Sequence, residues 1–218
     1  VVVDSIGREI DTIGEVAANE GRQLQLTLDY DLQQATEDAF AVAGFHGAAV
    51  VLDPRSGEIL ALVSLPAYDP NAFALGIDQD TWDALNQDAL RPLTNRALQG
   101  TYPPGSTFKI AMVVAALQEG IVTPNFRVSC RGGGTFYGRF SQCHTTHGSV
   151  DMREALEQSC NTYFYTLGEM LEIDQIHKWA TALGLGELSG LDLPHEVQGL
   201  MPSTAWKREA RGEPWYPG

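Results

Sequence analysis

The sequence predicts an α+β fold in which helices pack on an antiparallel sheet. Two patterns predict it: an early β-hairpin signal, AAVVLD, PRSG and EILALVS over residues 48–64, and a helix-rich middle. Composition agrees. Of 218 residues, 44% are hydrophobic and 19% charged, which excludes wholesale disorder. The 28 acidic residues against 14 basic ones leave a net charge of −14. Such a field repels phosphate backbones and argues against a nucleic-acid partner. No apolar run approaches the ~18–20 residues that cross a bilayer, and no signal peptide opens the chain.

Each element has its own local cause. Residues 1–22 are short apolar runs broken by charges and Gly, and read as strand or linker with no helical face. Asp29 caps a helix that carries Leu32, Ala35, Ala39 and Phe40 on one side. The hairpin follows, turning at Pro54-Arg55-Ser56-Gly57. Residues 66–76 read as loop and residues 81–85 as a short helix. Pro103-Pro104-Gly105 breaks the chain, and an apolar helix is expected from Ser106 to about Glu119. Residues 130–148 are rich in Gly, Cys, His and Thr, with little periodicity. Helical patterns return over 151–158, 161–171 and 174–183, the last stopped by Gly184 and Gly186. The remainder, through Trp206 and Trp215, reads as irregular. A single hairpin is too little sheet for this architecture, so further strands are expected beyond the C-terminus. His46 reads as structural, His177 and His195 as surface residues, Asp69 and Asn71 as organisers of a loop, and Tyr163-Phe164-Tyr165 as core.

The sharpest chemical signal is Tyr102-Pro103-Pro104-Gly105-Ser106-Thr107-Phe108-Lys109. It sets Ser106 at a helix start, where unpaired N–H groups and the helix dipole favour negative charge. Lys109, three residues on, shares its face. The apolar helix around it lowers the lysine pKa, and a neutral lysine can take the serine proton. S-x-x-K alone recurs about once by chance in a chain of this composition, with Ser106 as a cap and Lys109 solvated. The Pro-Pro-Gly lead and the apolar helix raise it above that. A second element is Ser159-Cys160-Asn161. A serine hydroxyl there can relay a proton, and an asparagine amide can hold both a substrate carbonyl and a lysine. Its plain alternative is a helix junction with Asn161 as N-cap.

The three cysteines, Cys130, Cys143 and Cys160, read with His147 as C-x12-C-x3-H-x12-C. Three thiolates and an imidazole are a complete tetrahedral zinc set, with His144 as an alternative nitrogen ligand. A Cys130–Cys143 disulfide with Cys160 free, or three unrelated buried thiols, are the competing readings.

S-x-x-K followed about fifty residues later by S-x-N is the two-part pattern of penicillin-recognising serine acyltransferases. The chain resembles the transpeptidase domain of a class B penicillin-binding protein, of the elongation type called penicillin-binding protein 2. The stretches that carry the resemblance are LTLDYDLQ, VVLDPRSGEILALVSLPAYDPNAF, PLTNRALQGTYPPGSTFK, ALEQSCNTYFY and GLDLPHEVQGLMPS. It runs from about residue 23 to the end, with residues 1–22 similar to the tail of a preceding non-catalytic region. The resemblance implies the penicillin-binding-protein/β-lactamase-like transpeptidase fold. It implies a D,D-transpeptidase that cross-links peptidoglycan stem peptides and is acylated by β-lactams. Ser106 is then the nucleophile, Lys109 its general base, and Ser159 and Asn161 the second-motif groups. It also implies partners, a membrane glycosyltransferase and elongation-complex proteins. The implied location is the periplasmic side of the bacterial inner membrane, with an anchoring N-terminal helix outside this chain. Some elongation-type members carry a metal beside the S-x-N loop with carboxylates among its ligands. The resemblance thus implies cysteine in place of aspartate at two positions, around a structural zinc. The family's third motif, K-[ST]-G, is not found, and Lys207-Arg208-Glu209 does not fit it. The expectation is therefore a C-terminally truncated domain, inactive by itself. Other expectations for the same fold are a β-lactam hydrolase, for which no water-activating residue can be assigned, and a non-catalytic β-lactam sensor.

Overall fold

Hairpin and helix form where their local patterns demand, in a computed structural model that describes residues 2–11, 20–74 and 76–217. The chain divides into two compact units, residues 1–65 and 66–218. In the first, β1 (Val2–Val3) pairs antiparallel with β2 (Glu9–Asp11). Residues 12–19, part of the segment read as strand or linker, lie outside the described residues. Helix α1 (Tyr30–Ala43) starts at Asp29, whose carboxylate accepts the Leu32 N–H, and ends at Gly44 in the left-handed region, φ +68°.

The predicted hairpin is β3 (Gly47–Leu52) and β4 (Ile59–Leu65), with Val51 opposite Ala61 and Ala49 opposite Val63. Ala61 and Val63 are buried. The backbone of β4 turned away from β3 is satisfied by side chains and by the Asp29 N–H, which donates to Leu60 O at 2.9 Å. Gln33 donates to the Leu62 carbonyl and accepts the Leu62 N–H at 2.8 Å, while Thr27 donates to Ile59 O. One amide thereby substitutes for a neighbouring strand.

In the second unit, the stretch read as loop holds one helical turn, α2 (Asn71–Ala74), set by Asp69, which accepts both Asn71 nitrogens. Helix α3 (Gln79–Gln87) is longer than its sequence pattern, because Asp78 caps it. After α4 (Arg96–Gln99) comes a 3₁₀ turn, Gly105–Phe108, that runs into α5 (Lys109–Gln118). Ala111, Met112, Ala115 and Ala116 form the buried stripe of α5, and three alanines let neighbouring helices approach closely.

The weakly periodic stretch contains four short strands. They are β5 (Val128–Cys130), β6 (Gly133–Phe136), β7 (Arg139–Gln142) and β8 (Gly148–Val150). The β6–β7 hairpin nests inside the β5–β8 pair. Its turn has Tyr137 at φ +48° and Gly138 at φ +78°, the paired positive angles of a two-residue hairpin loop. Tyr137 is held there by Glu169 and by the Gly168 carbonyl.

Helices α6 (Met152–Glu157), α7 (Asn161–Met170) and α8 (Ile173–Ala182) follow their sequence patterns to within two residues. α6 opens on a capping box between Asp151 and Glu154. α5 packs on α7 and α8, and α7 on β5 and β6. Glu119, just past α5, ties down α8 by accepting from Trp179 at 2.6 Å and Lys178 at 2.7 Å. The core joins Met112, Val150, Met152, Tyr163, Phe164 and Leu167 to all three cysteines. Of the aromatic run, Tyr163 and Phe164 are core, while Tyr165 is exposed. The segment read as irregular contains a further helix, α9 (Thr204–Arg211), capped by Ser203 and stopped by Gly212 at φ +67°. Among the described residues no helix is long and apolar enough to cross a membrane.

Candidate active site

The start of α5 is built by local chain chemistry. Pro103 and Pro104 offer no N–H, and Gly105 sits at φ +56°, a backbone that L side chains rarely adopt. Ser106 therefore lies in the tight 3₁₀ turn and not in the α-helix expected there, and its side chain is exposed. Lys109 is the first residue of α5 and is half-buried.

The start of α7 is built differently. α6 ends in a Schellman arrangement: Ser159 N–H donates to Leu156 O at 3.1 Å and Cys160 N–H to Ala155 O at 2.8 Å. The left-handed position such a stop requires is taken by Ser159, at φ +52°. Glycine would fit there without strain, whereas a side chain costs roughly 1–2 kcal/mol. Serine brings a hydroxyl in return. Cys160, not Asn161, is the N-cap of α7, and Asn161 is its first helical residue.

These two helix starts meet at Lys109. Its Nζ donates to Ser159 Oγ and Ser159 O, each at 2.8 Å, and to Asn161 Oδ1 at 2.7 Å. Ser159 Oγ in turn lies 3.0 Å from Ser106 Oγ, within hydrogen-bond reach. The lysine thus reaches the candidate nucleophile through Ser159. The Phe164 ring stands 5.3 Å from Nζ on another side. Burial pulls the Lys109 pKa below that of an ordinary lysine, while the sulfurs of Cys143 and Cys160 work weakly against it.

Beside this site, ligand atoms of Cys130, Cys143, His147 and Cys160 all lie within 4.8 Å of one another. Cys130 ends β5, Cys143 follows β7, His147 precedes β8 and Cys160 caps α7. The nested strands therefore bring together residues far apart in sequence. The three cysteines are buried free thiols. Both Cys130 Sγ and Cys143 Sγ lie 3.5 Å from His147 Nδ1, while His144 Nδ1 lies 3.9 Å from Cys143 Sγ alone. Burial pushes the Cys130 thiol up. The Thr162 hydroxyl, the His147 and Gly132 backbone N–H groups and the His147 ring outweigh it and bring the pKa down to about 5. Burial takes Cys160 the other way, up to about 11. The contact with Cys130 raises His147. Zinc–sulfur bonds of about 2.3 Å set tetrahedral sulfurs roughly 3.8 Å apart, so this donor set fits zinc in both chemistry and compactness.

Two contacts in this region had no sequence signal. The Asn161 N–H donates to Cys143 Sγ at 3.2 Å, and the Thr162 hydroxyl to Cys130 Sγ at 3.2 Å. Of the remaining histidines, His177 Nδ1 lies 3.1 Å from the Met201 carbonyl, away from the site.

An α+β scaffold presenting S-x-x-K and S-x-N groups at one lysine is the arrangement of a penicillin-recognising serine acyltransferase. The chain belongs to the penicillin-binding-protein transpeptidase family: the family model described as penicillin binding protein transpeptidase domain matches residues 47–212. Within that family it is of the penicillin-binding protein 2 type. It is 40% identical to the peptidoglycan D,D-transpeptidase MrdA of Escherichia coli K12 over 222 residues, covering 100% of this chain and 35% of the relative. The structure of Pseudomonas aeruginosa PBP2 in complex with WCK 5153 is similar at a TM-score of 0.84 and 42% identity, over 88% of this chain and 43% of that one. The Helicobacter pylori PBP2 structure, in a complex with MreC, is similar at a TM-score of 0.84 and 31% identity, over 98% of this chain and 40% of that one. The chain spans about a third of the length of the curated relatives it matches.

Proposed function

We propose that the protein is a peptidoglycan D,D-transpeptidase of cell-wall elongation, a serine acyltransferase that takes stem peptides and is acylated by β-lactams. The observation that carries this reading is the hydrogen-bonded path from Ser106 Oγ through Ser159 Oγ to Lys109 Nζ, with Asn161 Oδ1 on the same amine. In the reactive form Lys109 is neutral, a state its burial favours. Ser159 passes its hydroxyl proton to Lys109 Nζ as it takes the Ser106 proton. Ser106 Oγ then bonds to the carbonyl carbon of the donor peptide, and the terminal D-amino acid departs as an amine that receives the proton. An acceptor amine reverses these steps and frees Ser106. The Asn161 amide keeps Lys109 aligned between its two roles.

The cysteine–histidine set belongs to the same proposal. Cys130, Cys143, His147 and Cys160 would hold one zinc ion with four protein ligands. Such a closed site supplies structural order to a Gly-rich stretch with little core of its own. Residues 1–22 are read as the end of a preceding non-catalytic region and 23–218 as transpeptidase domain. The reading extends to partners in the elongation complex, supported by the similar Helicobacter pylori PBP2 structure in complex with MreC, and takes in a membrane glycosyltransferase partner and a location on the periplasmic side of the inner membrane.

Mass spectrometry of the protein at its full length after incubation with a penicillin tests the reading. The adduct is expected on Ser106, with slow turnover distinguishing a transpeptidase from a hydrolase. Labelling that survives Ser106→Ala would sink it.

A further inference from the structure

We infer that Cys143 and Thr162 are positioning residues: they fasten the first turn of α7 to the sulfur cluster and thereby set where Asn161 presents its amide to Lys109. The inference rests on the reading of Asn161 as an active-site group.

A helix start leaves its first N–H groups without intrahelical partners, and the N-cap side chain usually accepts one of them. At α7 the cap residue, Cys160, makes no such bond. The acceptor comes instead from 18 residues upstream, where Cys143 Sγ takes the Asn161 N–H at 3.2 Å. The next residue adds a second tie of another kind, as the Thr162 side-chain hydroxyl donates to Cys130 Sγ at 3.2 Å. Cys130, Cys143 and Cys160 are 0%, 2% and 0% exposed and Thr162 is 4% exposed, so water does not reach these bonds as a substitute. A sulfur carrying negative charge is also favoured at a helix N-terminus by the dipole.

Asn161 is therefore held at two ends. Its backbone is bonded to a cluster sulfur, and its side-chain oxygen to Lys109 Nζ at 2.7 Å. An ordinary Ser or Asp cap at position 160 would satisfy the helix locally and leave its register independent of residues 130–147. With the acceptor placed on Cys143, the position of the S-x-N segment depends on the strands that carry the cluster.

The test is NMR on the ¹⁵N-labelled protein with Cd²⁺ alone as the metal probe. With ¹¹³Cd²⁺ bound, the Asn161 amide proton should show scalar coupling to the metal across the N–H···S bond. Cys143→Ala should abolish that coupling and speed Asn161 amide exchange by about tenfold, leaving the later α7 amides unchanged. Cys143→Asp, which keeps an anionic acceptor, should restore the protection. Thr162→Val should speed Asn161 exchange by about threefold, and Thr162→Ser should rescue it. An Asn161 amide with no coupling in the cadmium-loaded wild type, or with unchanged exchange in Cys143→Ala, overturns the inference. If Cys143→Ala does not fold, Thr162→Val decides, and unchanged exchange there overturns it equally. These readouts require no turnover. Failure of the full-length wild-type protein to be acylated at Ser106 would count against the transpeptidase reading alone, and the amide results would still judge the positioning.

Discussion

Two helix starts supply the polar groups of the site, and they are made by different means. At α5, adjacent residues do everything: two prolines and a left-handed glycine end the preceding backbone, and Ser106 and Lys109 follow three apart. At α7, the stop at Ser159 is local, but the first N–H is capped by the sulfur of Cys143, just after β7, and the Thr162 side chain is tied to the sulfur that ends β5. The first start has its chemistry written in eight consecutive residues. The second depends on a loop of nested strands folding correctly. The comparison teaches that damage at the α5 start should read out in chemistry, and damage at the α7 start in stability and register first.

The largest break of that contrast is Lys109→Ala. Loss of the proposed general base should slow penicillin acylation by about 10³-fold, inside the usual span for such groups. Burst kinetics and thermal melts check it, and the melting curve should stay close to wild type. Acylation within about tenfold of wild type would refute the base assignment.

Cys160→Ala should show the opposite balance. It removes a proposed zinc ligand at the N-cap position of α7, where the side chain makes no capping bond. Bound zinc should fall from about one equivalent to near zero, and stability by about 3 kcal/mol, with a smaller loss of acylation rate. Elemental analysis and denaturant melts measure both. Less than about half an equivalent of zinc in the wild type, with a Cys130–Cys143 disulfide in the peptide map, would reject the metal.

Ser159→Gly sharpens the comparison at a single residue. Glycine relieves the left-handed backbone, so stability should hold or rise by up to about 1 kcal/mol. The relay hydroxyl is lost, and acylation should fall by about 10²-fold. A variant that is less stable and still fast would show that the serine is there for the fold.

The smallest expected effect is in pH dependence. Burial lowers the Lys109 pKa, and in the proposed mechanism the neutral amine is the reactive form. Acylation should therefore rise with pH, with its midpoint below the ordinary lysine value of 10.5. Stability carries the same sign. The unfolded chain binds more protons at Lys109 than the folded one between the two pKa values. Folding is thus favoured as pH climbs through the folded pKa and levels off above the unfolded one. A stopped-flow profile with its midpoint at or above that of a free lysine would contradict this.

Much of the fold was legible because its causes are short-ranged. Asp29 ahead of an amphipathic run gave α1, the turn at residues 54–57 gave the hairpin, and Gly184 marked the end of α8. Helix α9 has equally local causes, since Ser203 and Gly212 are ordinary start and stop signals. Strands β5 to β8 were not, because three or four residues are too few for an alternation to show and their partners are non-local.

For the site, the sequence alone determined which chemistry was on offer: a serine and a lysine three apart at a helix start, an S-x-N segment, and three thiols with an imidazole. Each of those follows from side-chain type and from backbone preferences that act within one turn. The tertiary structure decided their use. It brought Ser159 to 2.8 Å from a lysine fifty residues away and placed it between that lysine and Ser106. It made Cys160 and not Asn161 the cap of α7, and it supplied the missing acceptor from Cys143. Such contacts close long loops and exist only once the core of α5, α7 and the nested strands has packed, so no local pattern can encode the distances.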